Sequence, residues 1–391
     1  MVAGKSTSQY IKEQNINKIF HIIRNEKSIS RVEIAKKMRM SQTSVGRSVA
    51  ELVEAGYVVE GQNVGNSVGR QRILLHIVPQ KILMIGIYLL RERIDAGLVD
   101  AAGNILVQRS YEIEETSPVY VVERIKVAID YMLGQIPDNK LKNLVGVGVS
   151  VPATVNYKTG FVMQSPSFHW RSLNLGSLLT ACYPYNIIVD NDVKSFAKAQ
   201  RFLNTIDDPN YFIVLHLGNG IALAEMLDGR LSRGENNIAG EIGHIITDPN
   251  GILCDCGRRG CLQTQLSKGS IERELGISFQ EAVRRYHEND ERCSQVLNRV
   301  ANEIAMWTAN FVNIFDPKEI ILTGSMLDEW DELFDMIVNG SKRFLSEQIS
   351  SGIKIKRPSL KGVENNIVAA ASNVFYKFTI KNGESYYDHS L

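Results

Sequence analysis

Three stretches near the start of the chain repeat their apolar residues at helical spacing, after which apolar runs of strand length take over, alternating with longer helical patterns. Ile16, Ile19, Phe20 and Ile23 form the first stripe, behind a polar arm over residues 1–13. In S-I-S-R-V-E-I-A-K-K-M, Ser30 is an N-cap with Glu33 three residues on, the reciprocal pattern of a capping box, and Ile34, Ala35 and Met38 face inward. Ser41 opens the third stretch, Val45, Val49, Leu52 and Val53 give it an apolar face, and Gly56 stops it. Two strand-like runs, Y-V-V-E-G-Q and I-L-L-H-I-V, then flank a glycine-rich tip. A short helix, a tight turn, a longer helix and a hairpin predict a winged helix-turn-helix over 1–80. Ser41, Gln42, Thr43, Ser44 and Arg47 occupy the leading end of the helix that would enter a major groove, and Arg70 and Arg72 lie at the wing.

From residue 81 the pattern predicts two strands to Asp100, a turn at A-A-G-N, a third strand at I-L-V-Q, a helix over about 119–133 and a buried strand at L-V-G-V-G-V-S-V-P. Residues 187–200 read as a strand running through an Asp-Asn-Asp corner into a helix. Acidic and amide groups at the carboxyl end of a strand are where open α/β sheets hold ligands. Further strands flank L-G-N-G-I, a long helical region runs from Ser270 to about Phe315 with a break near Asp290, and F-D-P-K-E-I-I-L-T-G-S precedes a helix from about Glu329. Residues 81–391 therefore read as an α/β unit of two strand-rich halves closing over a cleft.

Composition is that of ordinary globular protein, 391 residues with 44% apolar and 22% charged. No apolar run reaches membrane-spanning length and no secretion signal precedes the first helix, so the cytoplasm is the expected compartment, without membrane insertion. Charge is uneven. Residues 1–80 carry twelve Lys/Arg against six Asp/Glu, while the remainder carries 32 against 37, which points the first unit alone at a polyanion, double-stranded DNA.

His244, Cys254, Cys256 and Cys261 place one imidazole and three thiolates within eighteen residues. Four protein ligands leave no position for a reactive water, so this is a structural Zn2+ set, not a hydrolytic one. C-x-C spacing is strained for a disulfide. Cys182 and Cys293 read as small core residues.

Together these motifs resemble the ROK proteins, named for repressors, open reading frames and kinases. The resemblance covers nearly the whole chain, through S-V-P (150–152), V-D-N-D (189–192), L-G-N-G-I (217–221), G-E-I-G-H (240–244) and C-D-C-G-R-R-G-C-L (254–262). It implies a two-lobed actin-like ATPase fold, a sugar between the lobes, and a zinc that fixes the loop bearing sugar-contacting groups. By that resemblance Asn191, Asp192, Glu241 and His244 contact sugar hydroxyls, Asp192 being the catalytic base in the family's kinases. Gln263 stands where the family usually has Glu.

Departures matter as much. The kinases' D-x-G-G-T phosphate turn is replaced by Tyr88-Leu89-Leu90-Arg91-Glu92, Ala222 follows Gly218-Asn219-Gly220 where Gly is common, and the adenosine-side turn reads Gly324-Ser325. Ala153-Thr154 follows S-V-P, and Lys194 replaces an Asn. The resemblance thus implies a DNA-binding transcriptional regulator of carbohydrate genes, a repressor, not an enzyme, controlled by a sugar or sugar derivative and acting as a homodimer, with a tetramer as the larger alternative. Its rivals are a sugar kinase fused to a DNA-binding domain, and a regulator captured by a protein partner such as a sugar transporter, with a vestigial pocket.

Overall fold

Helix α1 spans Thr7–Glu26 in the computed structural model, which describes residues 7–61, 73–381 and 384–387. The polar arm expected over 1–13 is thus helical from Thr7. Lys12 there pairs with Glu51 of the third helix at 2.8 Å. β1 (Ile29–Ser30) leads into α2 (Arg31–Met38), where Ser30 and Glu33 form the expected capping box. Arg39 closes that helix in the left-handed region, and α3 (Gln42–Glu54) begins at Ser41, whose hydroxyl accepts the Ser44 amide. β2 (Val58–Glu60) and β3 (Leu74–Ile77) complete a three-stranded antiparallel sheet in the order β1-β3-β2. The wing tip, with Arg70 and Arg72, lies outside the described residues.

The larger unit begins with the meander β4 (Leu83–Leu89), β5 (Arg93–Asp100), β6 (Ile105–Glu112), then α4 (Pro118–Gly134) and β7 (Leu144–Val151). A three-stranded antiparallel meander that periodicity did not announce follows, β8 (Thr154–Asn156), β9 (Phe161–Ser165) and β10 (Trp170–Leu173), then α5 (Leu175–Thr180), β11 (Ile187–Asn191) and α6 (Asp192–Leu203). The second half repeats the scheme with β12 (Phe212–Leu217), β13 (Ile221–Leu227) and β14 (Arg230–Leu231). After the cysteine loop come α7 (Gln263–Leu266), α8 (Lys268–Leu275), α9 (Phe279–His287), α10 (Glu291–Phe315) and β15 (Glu319–Thr323). The helical region breaks at Gly276, a left-handed cap, as well as at Asp290, which caps α10. The helix expected from Glu329 is two, α11 (Ser325–Glu329) and α12 (Glu332–Ser341); α13 (Glu347–Gly352), β16 (Lys354–Lys356), α14 (Gly362–Phe375) and the pair β17 (Phe378–Lys381) and β18 (Glu384–Tyr387) end the fold.

The two five-stranded sheets are topological copies. Their orders are β11-β7-β4-β5-β6 and β16-β15-β12-β13-β14, each three strands antiparallel and two added in parallel. Each central strand is buried on both faces: Leu83, Ile85, Ile87 and Leu89 pack toward α4, and Met84 and Tyr88 toward the helices between the sheets. Those helices are α6 and α14, with α14 against the first sheet and α6 against the second. Cys293 is buried as expected. Cys182 is exposed, because it falls in the turn after α5 and not on an apolar face. No helix among the described residues is long and apolar enough to cross a membrane.

The winged helix is docked on this body. Asn17 of α1 donates to the Ile380 carbonyl at 2.9 Å and accepts its amide at 2.6 Å, in effect a strand partner for β17. Arg24 donates to the Ala101 carbonyl at 2.6 Å while its guanidinium lies over the Phe202 and Phe375 rings.

A Cβ added at Gly148 on β7 would collide with the Ala370 carbonyl of α14, and neither partner is a flexible side chain. Gly148→Ala should therefore destabilise by more than about 3 kcal/mol, above the usual cost of overpacking. Denaturant unfolding of the purified variant checks this, and a stability unchanged within error would refute the close-packing argument.

Candidate functional site

A cleft of 1090 Å3 opens between the two halves, at the carboxyl ends of β7, β11 and β12. Asn191, Asp192, Glu241, His244 and Gln263 all line it, although 72 residues separate the first from the last. The corner at β11 explains the first two. Asn191 is the N-cap of α6, accepting the Lys194 amide at 3.0 Å, and its side-chain amide donates to the Ala153 carbonyl at 3.0 Å. Most of its hydrogen-bonding capacity thus serves the fold. Asp192, one residue on, uses a single oxygen on the Val193 amide at 2.9 Å and has the other for the cleft.

Glu241 arrives from the second half on a loop pressed against β13. Gly240 has φ of +90°, and a side chain there would strike the Leu223 carbonyl; the Gly240 carbonyl instead accepts the Leu223 amide at 2.7 Å. Burial and the neighbouring Glu241 push the Asp192 carboxyl up to about 7, against the helix N-terminus that would favour its charge. Burial likewise raises Glu241, opposed by the Lys194 ammonium. Two carboxyls with raised affinity for protons thus line the same cleft, one from each half of the fold.

His244, Cys254, Cys256 and Cys261 converge as their spacing requires, with all ligand atoms within 4.8 Å of one another. Cys254 Sγ lies 3.7 Å from His244 Nδ1 and Cys256 Sγ 3.6 Å from Cys261 Sγ. A tetrahedron with bonds of about 2.3 Å has edges of about 3.7 Å, so the donors fit a zinc-sized ion with no place for a fifth partner. The left-handed turn at Gly257 and the contact of Gly260 with Asp248 fold the loop around that centre. Since Nδ1 faces the cysteines, Nε2 on the opposite edge of His244 is left toward the cleft. Gln263 donates Nε2 to Cys254 Sγ at 3.4 Å and packs against Gly243 and Gly220, so it supports the metal set as well as lining the cleft.

A buried ion cluster beneath the corner was not foreseen from the sequence. Asp190 is fully buried and binds Lys198 and Arg233, the latter through two contacts of 3.0 and 2.6 Å. The cations drive its carboxyl far below the usual range despite burial. Arg233 also stacks on Tyr157 at 3.8 Å, and Lys194 donates to the Asn237 carbonyl at 2.6 Å. Arg233 thus ties the loop that carries Glu241 to β11 and to the β8–β9 turn, and Lys194 ties it to α6. The available signal was an aspartate ending the apolar run I-I-V, which demands a counter-charge somewhere.

Where the resemblance placed a phosphate turn, Tyr88 is buried against Phe196 and Leu90, Arg91, Glu92 and Arg93 line the cleft wall. Arg91 reaches across to the Ser167 carbonyl at 3.1 Å. At the other end of the molecule, Ser41, Gln42, Thr43, Ser44 and Arg47 are all exposed along one end of α3, while Val45, Val49 and Leu52 are buried beneath them.

Comparison with known proteins agrees with this architecture. Residues 13–59 match a winged helix-turn-helix DNA-binding family, and residues 84–371 match the ROK family. The chain is 23% identical over 347 residues to the xylose repressor of Bacillus subtilis, covering 88% of this chain and 89% of that one. With the DNA-binding transcriptional dual regulator NagC of Escherichia coli it shares 24% over 333 residues, 81% and 82% of the two chains. A ROK family transcriptional regulator, a homologue of the Escherichia coli MLC protein, superposes with a TM-score of 0.78 at 20% identity over 96% of this chain and 98% of that chain. The ROK glucokinase of Streptomyces griseus, solved with glucose and AMPPNP, has a TM-score of 0.65 at 23% identity over 74% and 98%. With the family match spanning most of its length, the chain belongs to the ROK family.

Proposed function

We propose that the protein is a transcriptional regulator, acting as a repressor of carbohydrate genes, in which residues 1–80 read operator DNA and residues 81–391 bind a monosaccharide or derivative between the lobes. One observation carries this reading: a winged helix with a free recognition face is joined to a cleft whose polyol-binding groups converge while its phosphate turn is filled by side chains. Phosphoryl transfer needs loop and metal positioning above all, so Asp192 binds here without acting as a base, and the protein is not a kinase. Relatives named for xylose and regulators of the NagC type support a sugar as effector.

Each group has a role in this scheme. Asp192 and Glu241 accept sugar hydroxyls, His244 offers Nε2, and Asn191 and Gln263 contribute their remaining amide positions while holding the corner and the metal loop. Zn2+ would be held by His244, Cys254, Cys256 and Cys261, and when bound supplies a rigid, redox-inert crosslink to the Glu241 loop. Ser41, Gln42, Thr43, Ser44 and Arg47 meet base edges, and Arg70 and Arg72 the backbone or minor groove. A homodimer matches paired half-sites. The sugar favours one lobe arrangement by differential affinity, which changes the placement of the two winged helices.

A thermal-shift panel of sugars, sugar phosphates and amino sugars on the zinc-loaded protein tests the reading, because a ligand of the native state raises stability by mass action. The expected result is a hit that Asp192→Ala removes; a flat panel would overturn sugar control. Since a hydroxyl donating to Asp192 favours its ionised form, affinity for the hit should be about tenfold weaker at pH 6 than at pH 8, given a group titrating near 7. Without ligand the sign reverses: the folded carboxyl binds its proton more tightly than the unfolded one, so this group's contribution to stability is lost as pH rises from about 4 to about 7. Asp192→Asn should flatten both profiles, and profiles unchanged in that variant would assign the titration elsewhere.

Cys256→Ser should lower bound metal well below one ion per chain and reduce thermal stability, as read by metal analysis and calorimetry. A fully metallated, equally stable variant would remove the zinc assignment. Arg47→Ala should weaken operator binding by about 1–3 kcal/mol with folding and metal content intact; unchanged affinity would take Arg47 out of the interface.

A further inference from the structure

A second cavity, of about 900 Å3, lies where the winged helix meets the body, outside the effector cleft and sharing no residue with it. α1 and α2 form one wall and α6, the β13–β14 turn and α14 the other. Its charge is one-sided. Lys18, Arg24, Lys37, Lys198, Arg201 and Arg230 line it, against a single carboxylate, Asp228, which already accepts from the Tyr211 hydroxyl.

Two of the six cations are neutralised, Lys198 by Asp190 and Lys37 by Glu26 at 2.7 Å. Among the described residues, no carboxylate is in ion-pair contact with Lys18, Arg24, Arg201 or Arg230. Arg24 is only 8% exposed and its direct partners are neutral, the Ala101 carbonyl, the Asn25 side chain and two aromatic faces, the buried Asp100 carboxylate acting on it only from beyond ion-pair contact. His21, between Arg24 and Arg201, is driven down to about 4 by burial and by those two cations, so it stays neutral and adds no further repulsion. Positive charge clustered in a partly enclosed site with too few carboxylates to balance it is costly to the fold, and an anion relieves that cost. Ile22, Met38, Met40 and Phe202 supply apolar wall beside the cations, and the volume is that of a metabolite-sized site.

We propose that this junctional cavity binds a phosphate-bearing small molecule, its anionic groups held between Lys18 and Arg24 of the DNA-reading unit and Arg201 and Arg230 of the body. A ligand gripping both units strengthens their docking, so it acts on operator affinity from a site independent of the sugar cleft. Guanidinium groups suit phosphate oxygens through paired donors, and the organic remainder of the ligand lies on the methionine and phenylalanine surface.

The test is calorimetric titration of the full-length, metal-loaded protein with inorganic pyrophosphate at constant ionic strength, with sulfate as control and metal content measured afterwards. Lys18 and Arg230 are exposed, so the double variant Lys18→Gln, Arg230→Gln keeps its fold. The expected result is saturable binding that is retained in Asp192→Ala and weakened at least tenfold in the double variant. Binding lost in Asp192→Ala but kept in the double variant would place the anion in the sugar cleft and overturn the proposal. So would absence of binding at millimolar pyrophosphate, or equal binding of sulfate. If pyrophosphate fails to bind and the double variant weakens only operator binding, the cations serve the DNA backbone and the small-molecule site is refuted.

Discussion

Helix α14 lies on the first sheet at backbone-contact distance, and the rest of the protein is arranged around that approach. Side chains at Gly86 and Gly148 would run into the Ile367 and Ala370 carbonyls, and one at Gly97 would come within 2.6 Å of the Ile367 side chain. Glycine ordinarily weakens a strand, and its place in the middle of β4, β5 and β7 is explained only by what presses on it. The helix meets this with Ala369, Ala370 and Ala371, small enough to let the backbones close. Its polar residues are equally constrained. Asn373 bridges Ser150, Ser195 and Lys198, and Asn366 donates to Asp95 at 2.8 Å, so sliding α14 by one residue would strand several buried groups.

That constraint explains what the sequence made legible. The winged helix could be read because its signals are local: Ser30 with Glu33, Ser41 before Val45, and Gly56 all act within a few residues of where they stand. The metal loop was equally plain, since three thiolates and an imidazole at that spacing have few other uses. By contrast α14 is buried all round from Asn365 to Phe375, so N-N-I-V-A-A-A-S-N-V-F has no polar face to give it a period. The strands it touches did show their glycines, in L-V-G-V-G-V, but nothing in that run says which helix needs them. The pairing of Asn17 with Ile380 spans 363 residues and leaves no mark on either segment.

Within the candidate site the same division holds. Resemblance named Asn191, Asp192, Glu241, His244 and Gln263, and the fold brings all five to one cleft. It did not distinguish their duties. Asn191 and Gln263 are largely occupied in holding the corner and the metal loop, whereas Asp192 accepts only the Val193 amide, through one oxygen. The cluster of Asp190 with Lys198 and Arg233 is what lets a carboxylate corner sit in an apolar strand end, and breaking it would leave a buried charge uncompensated. Because Arg233 belongs to the loop bearing Glu241, the cluster also sets how closely that loop approaches Asp192. Tyr88, buried against Phe196, fills the place where the resemblance puts the phosphate turn, as the proposed binding-only role of the cleft would allow.

Helix α6 physically connects the cleft to the winged helix, so an effector bound as proposed would act on the winged helix through it. Its first residues, after the Asn191 cap, form the cleft floor, and its last, Arg201 and Phe202 with Asn204 beyond, meet α1 through the Arg24 guanidinium and the Asn25 carbonyl. Twelve residues of α-helix span roughly 18 Å, with no flexible segment between the two ends. A ligand that draws Asp192 toward Glu241 pulls on one end of a stiff rod whose other end is the seat of the winged helix. α14 packs along α6 and continues into β17, the strand that Asn17 grips, so displacement of α6 strains a second contact to α1 at the same time. Two attachments to one helix pair make the docked arrangement discrete and not continuously adjustable, which is the property a switch between two DNA-binding states requires.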